Sequence, residues 1–158
     1  MFCFFFFDDV FIPDENIIGE ENKGFRAIMD GMNAERILIA SECIGDGKYF
    51  IEKSVNYAKN RKIFNREIGM NQGIQFPIAE CYSQIEAASL MVDKAATLFD
   101  EGKKCGAEAN MAKMLAADAS WKAGTTAMET FGGFGFSKEY DIERKFRETR
   151  LYQTAPVS

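Results

Sequence analysis

Histidine is absent from this 158-residue chain. Its absence removes Ser-His and Cys-His nucleophilic catalysis and any Glu-x-x-His di-metal site. Acid/base chemistry near neutral pH would then fall to a carboxylate with a perturbed pKa. The four cysteines, Cys3, Cys43, Cys81 and Cys105, lie far apart and never form Cys-x-x-Cys. Without histidine to complete a ligand set, no zinc or other metal site is expected. Cys43 and Cys81 fall within apolar helical patterns, which predicts buried, reduced thiols and a bacterial cytoplasmic or mitochondrial matrix compartment. An excess of basic charge is also lacking: the formal net charge is −5 and the pI about 4.9. Nucleic acid is therefore not expected as the main partner, and an anionic ligand would need a local arginine cluster. No apolar run is long enough for a membrane span. Met1 to Phe7 is apolar, but too short for a signal h-region and without a basic n-region. Neither low-complexity linkers nor internal repeats occur.

The composition that remains, 47% hydrophobic and 27% charged, suits one soluble domain with a core. Phe5 to Phe11, rich in aromatic and β-branched residues, predicts a strand, and Ile12-Pro13-Asp14-Glu15-Asn16 predicts the turn closing it. The abrupt aromatic start suggests a chain that begins inside something larger. Gly24 opens a helical pattern running to about Asn60, with Phe25, Ile28, Met32, Ile39, Cys43 and Phe50 towards one side. Gly45-Asp46-Gly47 interrupts it; two glycines in one turn predict a close neighbour, preferentially another helix. Arg61 to Arg66 reads as a basic loop. Ile74, Ile78, Cys81, Ile85, Ala88, Val92, Ala95 and Phe99 keep spacings of three and four, the seam of a long antiparallel bundle helix ended by Gly102. Pro77 is tolerable only near the first turns of that helix, which could move its start a few residues later. Cys105 to about Thr130 predicts a third helix with Met111, Met114, Trp121, Thr125 and Met128 as its core face. Gly132-Gly133-Phe134-Gly135 stops it, and a short charged helix follows through Arg150.

Glu35 draws the chemical interest. Ile28, Met32, Glu35 and Ile39 fall at i, i+4, i+7 and i+11, one stripe of a helix. A carboxylate on a core-facing stripe loses hydration and becomes a better proton acceptor. The competing reading puts Glu35 at the edge of the stripe, in water or in an ion pair.

The order of motifs resembles the acyl-CoA dehydrogenase family. Val10-Phe11-Ile12-Pro13 follows an aspartate-rich strand, then come Gly24-Phe25 at a helix start and Asn33-Ala34-Glu35-Arg36-Ile37. Arg61-Lys62-Ile63-Phe64 with Gln72, Phe131-Gly132-Gly133-Phe134-Gly135-Phe136, and Glu139-Tyr140 with Arg144 and Arg147 complete the series. The resemblance implies an all-α fold, an up-down four-helix bundle of the acyl-CoA dehydrogenase C-terminal type, preceded by a remnant strand of a β domain. Residues 1–22 would be the end of that β domain and a linker, and 23–158 the helical domain with its last helix truncated.

It also implies FAD, an acyl-CoA substrate, a homodimer or homotetramer, and an electron-transfer flavoprotein as electron acceptor. Arg61, Phe64, Gln72, Glu129, Gly132 and Gly133 match cofactor-binding positions, and Asn33 and Arg36 substrate-binding ones. Most of the family carries its base in a Tyr-Glu-Gly-Thr segment. Here that segment reads Ala155-Pro156-Val157-Ser158. Pro156 cannot accept a proton. Members similar to the isovaleryl and long-chain enzymes place the glutamate at the position matching Glu35, which favours Glu35 as the base. An acyl-CoA oxidase and a non-catalytic helical interaction or oligomerisation domain are the alternatives. The chain alone is expected to retain little FAD, not to turn over, and to self-associate through uncovered apolar surface.

Overall fold

The seam read on the second helix is the one that packs. In the computed structural model, which describes residues 3–156, α2 spans Gln72–Asp100, and Ile78, Cys81, Ile85, Ala88, Val92 and Ala95 along it are buried. Ile74 and Phe99, at its two ends, are only partly covered. Pro77 lies inside the helix, within its second turn. Gly102 ends it at φ +66°, and the Lys103 N–H reaches back to the Leu98 carbonyl at 2.9 Å, the long bond of a Schellman cap.

The chain divides into two compact units, Met1–Gly31 and Met32–Ser158. In the first, residues 3–13 are irregular and Asp14–Asn16 form a single 3-10 turn where Pro13-Asp14 predicted one. The strand expected over Phe5 to Phe11 does not form. A strand needs a partner for its backbone groups, and none among the described residues is paired with this segment; Phe4 to Phe7 and Phe11 are exposed.

α1 runs over Gly24–Asn60, and the division between the units falls within it. Within the second unit its buried residues are Ile37, Ala40, Cys43, Ile44, Asp46, Gly47, Phe50, Ser54 and Ala58. Phe25 and Ile28, expected on the apolar side, are exposed. α1 leads into a hairpin, β1 (Lys62–Ile63) and β2 (Arg66–Glu67), antiparallel with Lys62 opposite Glu67. α3 (Gly106–Phe131) and α4 (Ile142–Leu151) follow, separated by 3-10 turns at Gly132–Phe136 and Lys138–Tyr140.

Side-chain pairs give the direction of packing. Lys94 pairs with Glu108 at 3.5 Å and the Cys81 thiol donates to Thr126 Oγ1 at 3.4 Å, so α2 and α3 are antiparallel. The bundle expected from the seam is thus present.

The core face of α3 differs from the one read in the sequence. Met111 and Met114 are exposed, at 38% and 56%, while Ala109, Ala112, Ala116, Ala117, Ala119, Ala123 and Ala127 are buried. Small residues let this helix sit close to three neighbours, and the methionines lie on the flank. A Cβ on Gly124 would stand 3.2–3.3 Å from Phe50, Phe146 and Thr149, where α1, α3 and α4 meet. Gly47 is tighter still: a Cβ there would lie 2.1 Å from Cδ1 of Ile85 on α2. The neighbour expected at the Gly45–Gly47 turn is therefore a helix. Beside it, Asp46 is buried and its Oδ1 lies 2.5 Å from Lys145 Nζ, tying α1 to α4.

Candidate functional site

Where α1 ends, the chain turns back on itself. Phe64 and Asn65 both have positive φ, +52° and +63°, as a two-residue type I′ hairpin requires. The Ile68 N–H bonds to the Arg61 carbonyl at 2.9 Å, and Lys62 bridges to Glu67 at 3.2 Å. A backbone hydrogen bond at Glu67, with the Lys62 ammonium, holds its carboxyl below the usual range. Arg66 Nη2 donates to the Met70 carbonyl at 3.1 Å and to Asn71 Oδ1 at 3.0 Å, locking the hairpin to the start of α2.

This hairpin walls a cavity of about 670 Å³ closed on its far side by the end of α3. Arg61, Glu129, Gly132 and Gly133, four residues expected to bind a cofactor, line it together. Gly132 has φ +58° and a Cβ on Gly133 would meet nothing within 4 Å, so the backbone edge there is open to a ligand. The Arg61 guanidinium lies 5.3 Å from the centre of the Phe134 ring and forms no ion pair among the described residues. Phe64 and Gln72 do not line the cavity. Phe64 projects from the hairpin tip at 95% exposure, and Gln72 opens α2 in solvent.

An aromatic cluster in the same wall escaped the reading of the sequence. Tyr57 stacks on Phe131 with centroids 4.1 Å apart, and Tyr140 meets both rings edge-on, at 5.8 Å and 5.4 Å. Tyr57 sits one helical turn before Arg61, and that i, i+4 spacing was the available signal.

Glu35 is not on the buried stripe. Along α1 the covered face runs through Ile37, Ala40, Cys43, Gly47 and Phe50. Glu35 precedes Ile37 by two residues, about 200° of helix, and is exposed. The four residues read as one stripe follow helical spacing, but that stripe flanks the packed face. Within this chain Glu35 keeps its hydration, and it does not line the Arg61 cavity. Asn33 is half-buried, with its amide 3.8 Å from where a Cβ on Gly106 would stand. Arg36 turns the other way from Glu35. Its Nη1 is buried without a hydrogen-bond partner among the described residues, and it lines a second cavity of about 580 Å³ with Lys113 and Arg150. Pro156 lies in the turn after α4; Val157 and Ser158, which complete the compared segment, lie outside the described residues.

Residues 22–155 match the family model described as acyl-CoA dehydrogenase, C-terminal domain. An acyl-CoA dehydrogenase of Mycobacterium tuberculosis is 40% identical over 155 residues, covering 97% of this chain and 40% of the relative. The solved butyryl-CoA dehydrogenase of Megasphaera elsdenii superposes with a TM-score of 0.91 at 36% identity, over 96% of this chain and 40% of that one. A chain in a structure of the electron transferring flavoprotein of Acidaminococcus fermentans superposes at 0.90 and 35% identity, again over 96% and 40%. This chain thus spans about 40% of the length of the relatives it matches. No helix among the described residues is long and apolar enough to cross a membrane. On the match over residues 22–155, with the fold it accompanies, the chain belongs to the acyl-CoA dehydrogenase family and corresponds to its C-terminal helical domain.

Proposed function

We propose that this chain is part of a flavin-dependent acyl-CoA dehydrogenase, acting on the Cα–Cβ bond of an acyl-CoA thioester. The observation that carries the reading is the meeting of Arg61, Glu129, Gly132 and Gly133 in one aromatic-walled cavity. Its residues fit an FAD: an unpaired guanidinium suits the pyrophosphate, and an open glycine edge lets a flat ring system approach the backbone. Phe64, exposed on the hairpin, would pack beside a flavin held with a second subunit of a homodimer or homotetramer, and Gln72 would donate to it. FAD, when bound, supplies the acceptor for the β-hydride.

Glu35 takes the α-proton onto its carboxylate, and the electron pair of the broken Cα–H bond forms the new double bond as the β-hydrogen departs with its pair. In this chain Glu35 stands exposed, so the loss of hydration that makes it a strong base comes from the acyl thioester and whatever chain covers it. Asn33 would position the substrate beside that carboxylate, whereas Arg36, expected to bind substrate, lines the second cavity instead. Electrons would leave to an electron-transfer flavoprotein, in the bacterial cytoplasm or the mitochondrial matrix.

The exposure of Glu35 favours one other reading, a non-catalytic helical interaction domain. Glu35→Gln in the flavin-loaded protein separates them. Retained flavin and acyl-CoA binding with substrate bleaching slowed about 10²–10⁴-fold is the expected result. Unchanged bleaching removes Glu35 as base, and a protein that never takes up flavin supports the interaction domain.

A further inference from the structure

The cavity of about 580 Å³ between α1, α3 and the segment after α4 has no part in the flavin reading and shares no residue with the Arg61 cavity. Three cations reach it from three directions: Arg36 on α1, Lys113 on α3 and Arg150 at the end of α4. Lys113 is only 8% exposed and makes neither an ion pair nor a side-chain hydrogen bond among the described residues. Nη1 of Arg36 is buried with no acceptor among the described residues. The Arg150 guanidinium lies 4.9 Å from the centre of the Trp121 ring and hydrogen-bonds Gln153. Asp118 is the single carboxylate of the lining, and it already accepts from the Gln153 amide at 3.0 Å.

Three positive groups against one engaged carboxylate leave the cavity short of negative charge. A donor drawn out of water needs an acceptor, and the Arg36 Nη1 has none among the described residues. The Arg36 donor, with Lys113 on the facing wall, is thus matched to a group that arrives from outside the described residues. We propose that this cavity is an oxyanion site, taking the carboxylate or phosphate group of a small ligand. Arg36 supplies the directional donor, since a guanidinium pairs with two oxygens of one anion. Lys113 supplies a compact charge, and Arg150, held over the indole of Trp121, supplies the third positive side.

Trp121 is the sole tryptophan and reports on Arg150 directly. The 158-residue protein is titrated with inorganic phosphate, acetate and chloride at constant ionic strength, following Trp121 emission and melting temperature. A saturable emission change and a rise in Tm with phosphate or acetate, but not chloride, is the expected result. Preference for phosphate assigns the ligand as a phosphate ester and preference for acetate as a carboxylic acid. Lys113→Met should weaken apparent affinity by at least about tenfold. Arg150→Gln, an exposed position read by Tm alone, should do the same if the Lys113 variant fails to fold. No flavin or acyl-CoA is present, so failure here is independent of the dehydrogenase reading. A non-saturating response, an equal response to chloride, or undiminished affinity in a folded variant overturns the site.

Discussion

Lys145 Nζ lies 2.5 Å from Asp46 Oδ1 and 3.2 Å from Glu148 Oε2, joining the buried turn of α1 to α4. Burial works against the lysine charge, but the Asp46 hydrogen bond and charge, with those of Glu148, outweigh it and raise its pKa. Removing one partner strands the other, so Asp46→Ala should cost about 3–5 kcal/mol. The double variant Asp46→Leu, Lys145→Leu should stay near the parent stability. Because the lysine pKa is raised on folding, its contribution is full below the ordinary value of about 10.4 and lost as pH rises through the raised one. Urea midpoints followed from neutral pH into this alkaline window should fall more steeply for the parent than for the double variant.

Two glycines in one turn should respond oppositely to alanine. At Gly45 a Cβ meets nothing within 4 Å, so Gly45→Ala should gain about 0.5–1 kcal/mol of helix propensity. At Gly47 the same Cβ would stand 2.1 Å from Ile85 Cδ1 and 2.8 Å from its Cγ1. Overpacking of this kind costs about 1–3 kcal/mol, more than the propensity returns. Chemical denaturation of the two variants side by side settles it; equal shifts would refute the α1–α2 contact.

Thiol chemistry should count the core. Cys3 is exposed, whereas Cys43, Cys81 and Cys105 are buried. Burial, helped by the nearby Asp46 carboxylate, pushes the Cys43 thiol up to about 12, and burial also raises Cys81. An aromatic disulfide reagent at mildly alkaline pH should therefore label one thiol quickly and the other three only after denaturant is added. A raised thiol pKa also means stability falls as pH climbs from 9.0 towards about 12, because only the unfolded chain ionises Cys43 there. Cys43→Ala should flatten that slope while lowering stability at neutral pH.

Phe64 occupies a left-handed conformation, φ +52°, that disfavours a bulky side chain by about 1–2 kcal/mol. Phe64→Asn, which suits the first position of a type I′ turn, should raise Tm by about 2–4 °C. The same change should reduce flavin recovered with the protein. A lower Tm would mean the hairpin has another conformation in solution.

The parts of the sequence that read correctly were those where packing is periodic. On α2, large and β-branched residues alternate with polar ones, and the buried face declares itself. On α3 the faces differ in size rather than polarity, so the methionines drew attention away from the buried alanines. Glu35 shows a related failure: Ile28, Met32 and Ile39 satisfy helical spacing, but only contact with a second helix decides which stripe is covered. The cavity residues Arg61, Glu129, Gly132 and Gly133 came from an ordered set of motifs and line one cavity, while Phe64 and Gln72 from the same set do not. Lys113 and Arg150 had no local signal, because they come together only through the approach of α3 and α4. The Phe5 to Phe11 run has strand composition, yet composition supplies no hydrogen-bonding partner.

The alanine seam of α3 makes its tolerance of mutation one-sided. Alanine there is close to the smallest side chain a helix can carry, so almost every replacement adds volume to a buried, close-packed face. In a saturation library, Ala112, Ala116 and Ala127 should accept little beyond glycine and serine. Ile85 and Val92 on α2 should accept a range of trimmed hydrophobes, each at a graded loss. Such a helix drifts slowly in evolution even at positions that never meet a ligand, and its partners must change shape around it.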